Sequence, residues 1–153
     1  DELGFGLEQE IDEWGCSVGE ELLRPHCSYQ AAVRPTIDTG CVKGIAHITG
    51  GGLTDNVPRI LPEGCNAVID SRAWPVPPVF EFLQKHGDVP VDDMYRTFNM
   101  GIGLVMVCSR SDLDSVLTKL ISSGEVGAGP VGEIREGESA VTYADVEFLK
   151  PVE

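Results

Sequence analysis

The sequence predicts an α/β domain, a mixed sheet with helices packed on it. Three observations lead there. Apolar runs of strand length at 45–49, 65–70 and 101–108 alternate with segments whose apolar residues recur at helical spacing, the pattern of layered sheet and helix. Residues 101–108 are almost continuously apolar, as in a strand covered on both faces, which places that strand in mid-sheet. Two further strand-length stretches, 126–135 and 140–148, flank the turn-like Glu136-Gly137-Glu138-Ser139; read as a hairpin, they make the sheet mixed rather than purely parallel.

Each element has a local reason. Residues 1–16 carry Gly4, Gly6 and six acids without sustained periodicity. They read as a solvated linker or lead-in, with a single domain over 17–153. A short helix is expected over 18–23, stopped by Pro25, and another over 29–38 that contains Pro35. Residues 45–49 form a strand running into three glycines, and 53–61 a helix or helical turn leaving them, limited by Pro58. A strand follows at 65–70. At 78–86, Val79, Phe80, Phe82 and Leu83 followed by Gly87 suit a helix that opens on proline and closes on a left-handed glycine. Asp92 then caps a short helix to Phe98. Leu113, Val116, Leu117, Leu120 and Ile121 fall at i, i+3, i+4, i+7 and i+8, behind Ser111 and Asp114 at capping-box spacing and ahead of Gly124.

Bulk properties exclude several classes. A chain of 153 residues with 42% hydrophobic and 24% charged content is ordinary for one compact domain. The 25 acids against 11 Lys plus Arg leave a net charge of -14, which repels phosphodiester backbones and anionic lipid; no nucleic acid and no membrane is expected as partner. The longest apolar stretch, 102–108, falls far short of the roughly 20 residues of a membrane helix. Five cysteines without a C-x-x-C pair fit a reducing, cytoplasmic compartment, as small buried apolar residues. His26, His47 and His86 show no metal spacing, so no metal site is expected, and no catalytic triad or Cys-His pair can be assembled.

Two glycine motifs call for opposite readings. Gly127-Ala-Gly129-Pro-Val-Gly132 matches the dinucleotide fingerprint, but Glu133-Ile-Arg-Glu-Gly follows in place of an apolar helix, so a turn or bulge is expected. Gly50-Gly51-Gly52 instead lies between a strand and a helix. Backbone amides at such a junction carry partial positive charge, and glycines let an anion approach them. Local reasoning leaves two readings, an anion site and a tight turn. Thr49 adds a hydroxyl, Asn56 a donor and acceptor one turn on, and Arg59 a forked cation suited to phosphate. Each also has an ordinary structural use, Asn56 as a cap and Arg59 as a solvated charge. Asn99, before Gly101, is a second polar point at a helix-to-strand junction, where α/β domains place ligands.

The stretch Gly44-Ile-Ala-His-Ile-Thr-Gly-Gly-Gly-Leu-Thr-Asp-Asn-Val-Pro-Arg-Ile-Leu-Pro62 resembles the hallmark loop of the phosphoribosylformylglycinamidine cyclo-ligase (aminoimidazole ribonucleotide synthetase) family. Gly19-Glu-Glu-Leu-Leu resembles the start of that family's carboxy-terminal domain, and Arg96-Thr-Phe-Asn-Met-Gly-Ile-Gly-Leu-Val its Phe-Asn-x-Gly-x-Gly strand. Three motifs in the family's order make the resemblance specific from about residue 17 onward.

The resemblance implies the carboxy-terminal α/β half of an enzyme that uses ATP and magnesium to convert formylglycinamidine ribonucleotide to aminoimidazole ribonucleotide in purine biosynthesis. The family's amino-terminal half supplies most ATP contacts and a dimer-forming barrel. The implied partners are therefore a phosphorylated ribonucleotide, an amino-terminal ATP-binding domain and, through it, a homodimer. No cofactor is expected on this domain alone, and it is expected to be catalytically incomplete. Carried over by position, the phosphate-binding residues are Thr49, Gly50, Gly51, Gly52, Asn56, Arg59 and Asn99. One segment departs: where the family reads Pro-Thr-Arg-Ile-Tyr, this chain has Pro25-His26-Cys27-Ser28-Tyr29 and lacks the guanidinium. The alternative is a free-standing, non-catalytic domain that binds a phosphorylated metabolite or a partner protein.

Overall fold

The computed structural model describes residues 4–144 and shows a mixed α/β architecture. Two-residue strands β1 (Glu10–Ile11) and β2 (Cys16–Ser17) pair antiparallel. Within the expected lead-in, Ile11 is buried and the ring of Trp14 lies edge-on against Phe82 at 4.6 Å. Ser17 starts α1 (Val18–Leu22) with a full capping box: its hydroxyl accepts from the Glu20 amide while the Glu20 carboxylate accepts from the Ser17 amide at 2.9 Å. Helix α2 (Gln30–Ile37) tolerates the internal Pro35, and the buried Thr36 hydroxyl donates to the Ala32 carbonyl at 2.7 Å.

Strand β3 (Val42–His47) begins earlier than its apolar run, with an irregularity in register between Val42 and Gly44. Gly44 leaves room there for the Ile60 side chain. Beyond the glycines, α3 (Gly52–Asn56) passes into a 3-10 turn over Val57–Ile60. Pro58 lacks the amide that an α-helix would need, which explains the change. Strand β4 (Cys65–Ile69) follows, then α4 (Pro78–Gly87) and α5 (Val91–Thr97). Two termini differ from expectation. The left-handed residue after α4 is Asp88, not Gly87, and α5 starts one residue before Asp92, which sits in its first turn without capping it. Asp and Asn tolerate the left-handed region better than other side chains, and an acid in the first turn still favours the helix dipole.

Strand β5 (Leu104–Cys108) pairs antiparallel with β3, and among the described residues these two form a separate two-stranded sheet. The mid-sheet position expected for it is thus not observed, and each of its residues is only half-buried. A continuous apolar run records partial cover on both faces and does not fix how many strands the sheet has. Helix α6 (Leu113–Ser122) packs on α2 and buries Val116. Its expected Ser111–Asp114 capping box is replaced by a 3-10 turn over Arg110–Asp112, with the Ser109 hydroxyl donating to the Asp112 carboxylate.

The expected terminal hairpin is also corrected. Strands β6 (Gly132–Glu136) and β7 (Val141–Tyr143) flank β4 in the order β6-β4-β7, β6 antiparallel and β7 parallel to it. Residues beyond 144 in the expected 140–148 strand lie outside the described residues. The 137–140 connection arches over the start of β4 instead of turning back tightly. The Gly137 amide donates to the Gly64 carbonyl, the Ser139 hydroxyl to Pro62, and the Asn66 side chain bridges Ala140 and Thr142. Gly127 to Val131 form the loop into β6, and Gly132 opens a strand because its missing Cβ would meet the Val68 carbonyl.

The core joins the β3–β5 and β6–β4–β7 sheets: Ala46 of β3 and Ile48 just past it, Ala67 and Ile69 of β4, with Leu53 and Val57 in the same cluster. Replacing Leu53, 1% exposed, by Ala is expected to cost about 3 kcal/mol. Leu23→Ala, at a position 83% exposed, should change stability by less than about 0.5 kcal/mol; urea unfolding of both variants checks the contrast. The Ser17 bonds hold the Glu20 carboxyl below its ordinary value. Their stabilisation is therefore present above the ordinary carboxylate range and is lost as pH falls through the lowered folded-state value. The stability gap between the protein and Ser17→Ala, followed by denaturant titration from pH 7 downward, is expected to narrow in acid.

Candidate functional site

The site starts where β3 ends. Ile48 is buried and its amide still pairs with the Gly103 carbonyl at 2.9 Å, which carries the strand geometry up to Thr49. The chain then reverses through Gly51 and Gly52, at φ 100° and 57°, conformations open to glycine and costly for a branched side chain. The Gly52 amide donates back to the Thr49 carbonyl at 3.0 Å. A Cβ at Gly52 would run into the carbonyl oxygens of Tyr95 and Phe98, so this glycine is where the loop seats on the end of α5.

Asn56 locks the loop from inside. Its buried amide donates to the carbonyls of Thr49, Gly50 and Gly52 at 3.3, 3.2 and 2.8 Å, and its oxygen lies 3.5 Å from the Thr49 hydroxyl. These contacts tie the loop's carbonyls inward. Among the described residues the amides of Gly50 and Gly51 donate to no acceptor. Thr54 secures the other side, donating to the Tyr95 carbonyl at 3.2 Å and sharing a 3.0 Å hydrogen bond with the Tyr143 hydroxyl. Burial pushes the Tyr143 phenol above its ordinary range, so at neutral pH it stays a hydroxyl.

The facing wall is the turn after α5. The Asn99 side-chain oxygen accepts from the Gly101 amide at 3.0 Å, and the Ile102 amide returns to the Asn99 carbonyl at 2.9 Å. Met100 and Gly101 hold positive φ, 50° and 97°, and Trp74 donates its indole N–H to the Met100 carbonyl at 2.9 Å. The Asn99 Nδ2 has no partner among the described residues.

Between the two walls lies an open cleft of about 250 Å³ lined by Ile48, Thr49, Gly50, Phe80, Thr97, Phe98 and Asn99. Of the residues expected at the site, Thr49, Gly50 and Asn99 line it. Gly51, Gly52 and Asn56 shape the loop from behind, and the Asn56 amide is fully engaged there. Arg59 is exposed on the 3-10 turn and is absent from the lining. Thr97 was missed by sequence reasoning; its hydroxyl two residues before Asn99 was the available signal.

No lining side chain is charged, so an anion here would be held by amide dipoles, hydroxyls and one carboxamide. The lining offers no carboxylate oxygen to magnesium, which takes oxygen ligands, and does not fit that ion. Among the described residues no group of three or more His, Cys, Asp or Glu could hold a metal. No described helix is long and apolar enough to cross a membrane.

A family model described as "AIR synthase related protein, C-terminal domain" matches residues 4–144. The phosphoribosylformylglycinamidine cyclo-ligase of Brevibacillus brevis is 46% identical over 145 residues, covering 95% of this chain and 42% of that protein. The enzyme of the same name from Bacillus subtilis is 41% identical over 143 residues, covering 94% and 41%. The chain thus spans about two fifths of the length of these curated relatives. Among solved structures, HypE of E. coli, a hydrogenase maturation protein, superposes with a TM-score of 0.63 at 25% identity, over 85% of this chain and 41% of that one. Sequence match and fold agree: the chain belongs to the AIR synthase related family, as its C-terminal domain.

Proposed function

We propose that this domain serves an ATP-dependent cyclo-ligase of purine biosynthesis that converts formylglycinamidine ribonucleotide to aminoimidazole ribonucleotide. Its role there is to hold the substrate phosphate on the glycine loop. The observation that carries the reading is the unused amide of Gly50, which lines the cleft with the exposed Thr49 and Asn99 and is followed in the loop by the unused amide of Gly51. Asn56 engages the carbonyls of Thr49, Gly50 and Gly52, which keeps those oxygens from repelling an anion. ATP, magnesium and the activation of the formyl amide oxygen belong, on this reading, to an amino-terminal half. The relatives' names and the share of their length that this chain covers support that division. The same reading makes the protein cytoplasmic, as a biosynthetic enzyme, and allows a homodimer formed through the other half.

Binding to the isolated chain tests the site. In calorimetry with the substrate ribonucleotide, Thr49→Ala and Asn99→Ala are each expected to weaken affinity about tenfold, the loss of one or two hydrogen bonds to a charged group. Gly51→Val should abolish binding, since its Cβ would meet Asp55 at 2.8 Å and its φ is positive. Arg59→Ala is expected to act more weakly and mainly at low salt, as an exposed charge does. Wild-type affinity in Gly51→Val would overturn the assignment.

A further inference from the structure

The segment that departs from the family pattern lies close to the site. His26 of Pro25-His26-Cys27-Ser28-Tyr29 approaches His47 at the end of β3, with their Nε2 atoms 3.3 Å apart and both rings exposed. The rings meet edge to face at 5.3 Å, and Tyr29 backs His26 in the same way at 5.4 Å. Gly103 makes the arrangement possible: a Cβ there would collide with the Tyr29 hydroxyl and come within 2.9 Å of the His26 Cε1. Two imidazoles from distant parts of the chain thus converge by the same ring nitrogen, one of them two residues ahead of Thr49.

The two rings share a hydrogen bond in the absence of an ion, and the same spacing is that of a chelate. Two metal–nitrogen bonds of about 2.05 Å at a tetrahedral angle place their nitrogens about 3.3 Å apart. We propose that His26 and His47 form a two-imidazole site for a late first-row divalent cation, Zn²⁺, Ni²⁺ or Cu²⁺, with water in the remaining positions. Imidazole is a ligand these ions favour, and both histidines are exposed, so the ion has a path in. Occupancy would clip residues 24–28 to the strand that leads into the glycine loop. The site is distinct from the phosphate cleft, which neither histidine lines.

Nickel(II) titration of the intact chain, followed in the ¹H–¹³C spectrum of the histidine rings, tests the proposal. Substoichiometric Ni²⁺ is expected to broaden His26 and His47 together while His86, packed on Phe82 at 4.2 Å, stays sharp. His26→Asn should weaken the effect at His47 about tenfold or more, as expected when one of two ligands is lost. Parallel broadening of all three histidines would overturn the site, as would an unchanged response of His47 in His26→Asn. Broadening that follows Cys27→Ser instead of the histidine change would also reject it.

Discussion

The seat of Gly52 on the end of α5 is the contact on which the rest of the site depends. Two backbone carbonyls, of Tyr95 and Phe98, occupy the space where any other residue would place its Cβ. The glycine loop and the Asn99 turn therefore form two walls of one cleft. Thr54 adds a hydrogen bond to the same Tyr95 carbonyl, so the loop is held to α5 at its first helical residue and again two residues on. Close approach of backbone to backbone is available only to glycine, and here it sets the width of the site.

Asn56 has the complementary task. A loop of three glycines has little to hold it in one conformation, because glycine loses the most backbone entropy on folding. One buried carboxamide bonded to three loop carbonyls supplies that restraint. The arrangement also separates the two polar faces of the loop, carbonyls inward and the Gly50 and Gly51 amides unengaged. Asn56 thus shapes the loop although it does not line the cleft.

At the other end of the domain, Asn66 does comparable work for the sheet. It bridges Ala140 and Thr142, and a Cβ on Gly137 would strike its side chain, so the 137–140 connection passes over β4. The result places β4 between β6 and β7 and presents Ala67 and Ile69 to the core. Tyr143 at the end of β7 then reaches Thr54, which links this sheet to the glycine loop.

The sequence by itself determined the class of fold, most element positions and the place of the glycine loop between strand and helix. These are written in local terms: apolar period, proline and glycine positions, and three motifs in order. It also ruled out the Gly127 to Gly132 motif, since no apolar helical face follows it. Strand partners were decided only in three dimensions. A four-residue loop between two β-patterned stretches is compatible with a hairpin or with an arch around a third strand, and only the packing of Gly132 against β4 and the bonds from the β4 residue Asn66 to Ala140 and Thr142 select the arch. The same holds for the site. Thr49, Asn56, Arg59 and Asn99 look alike as polar neighbours of glycines, but tertiary contacts line the cleft with Thr49 and Asn99, consume Asn56 internally and leave Arg59 outside it. Sequence spacing states which residues are near along the chain; which lone pairs and amides remain free depends on what folds back against them.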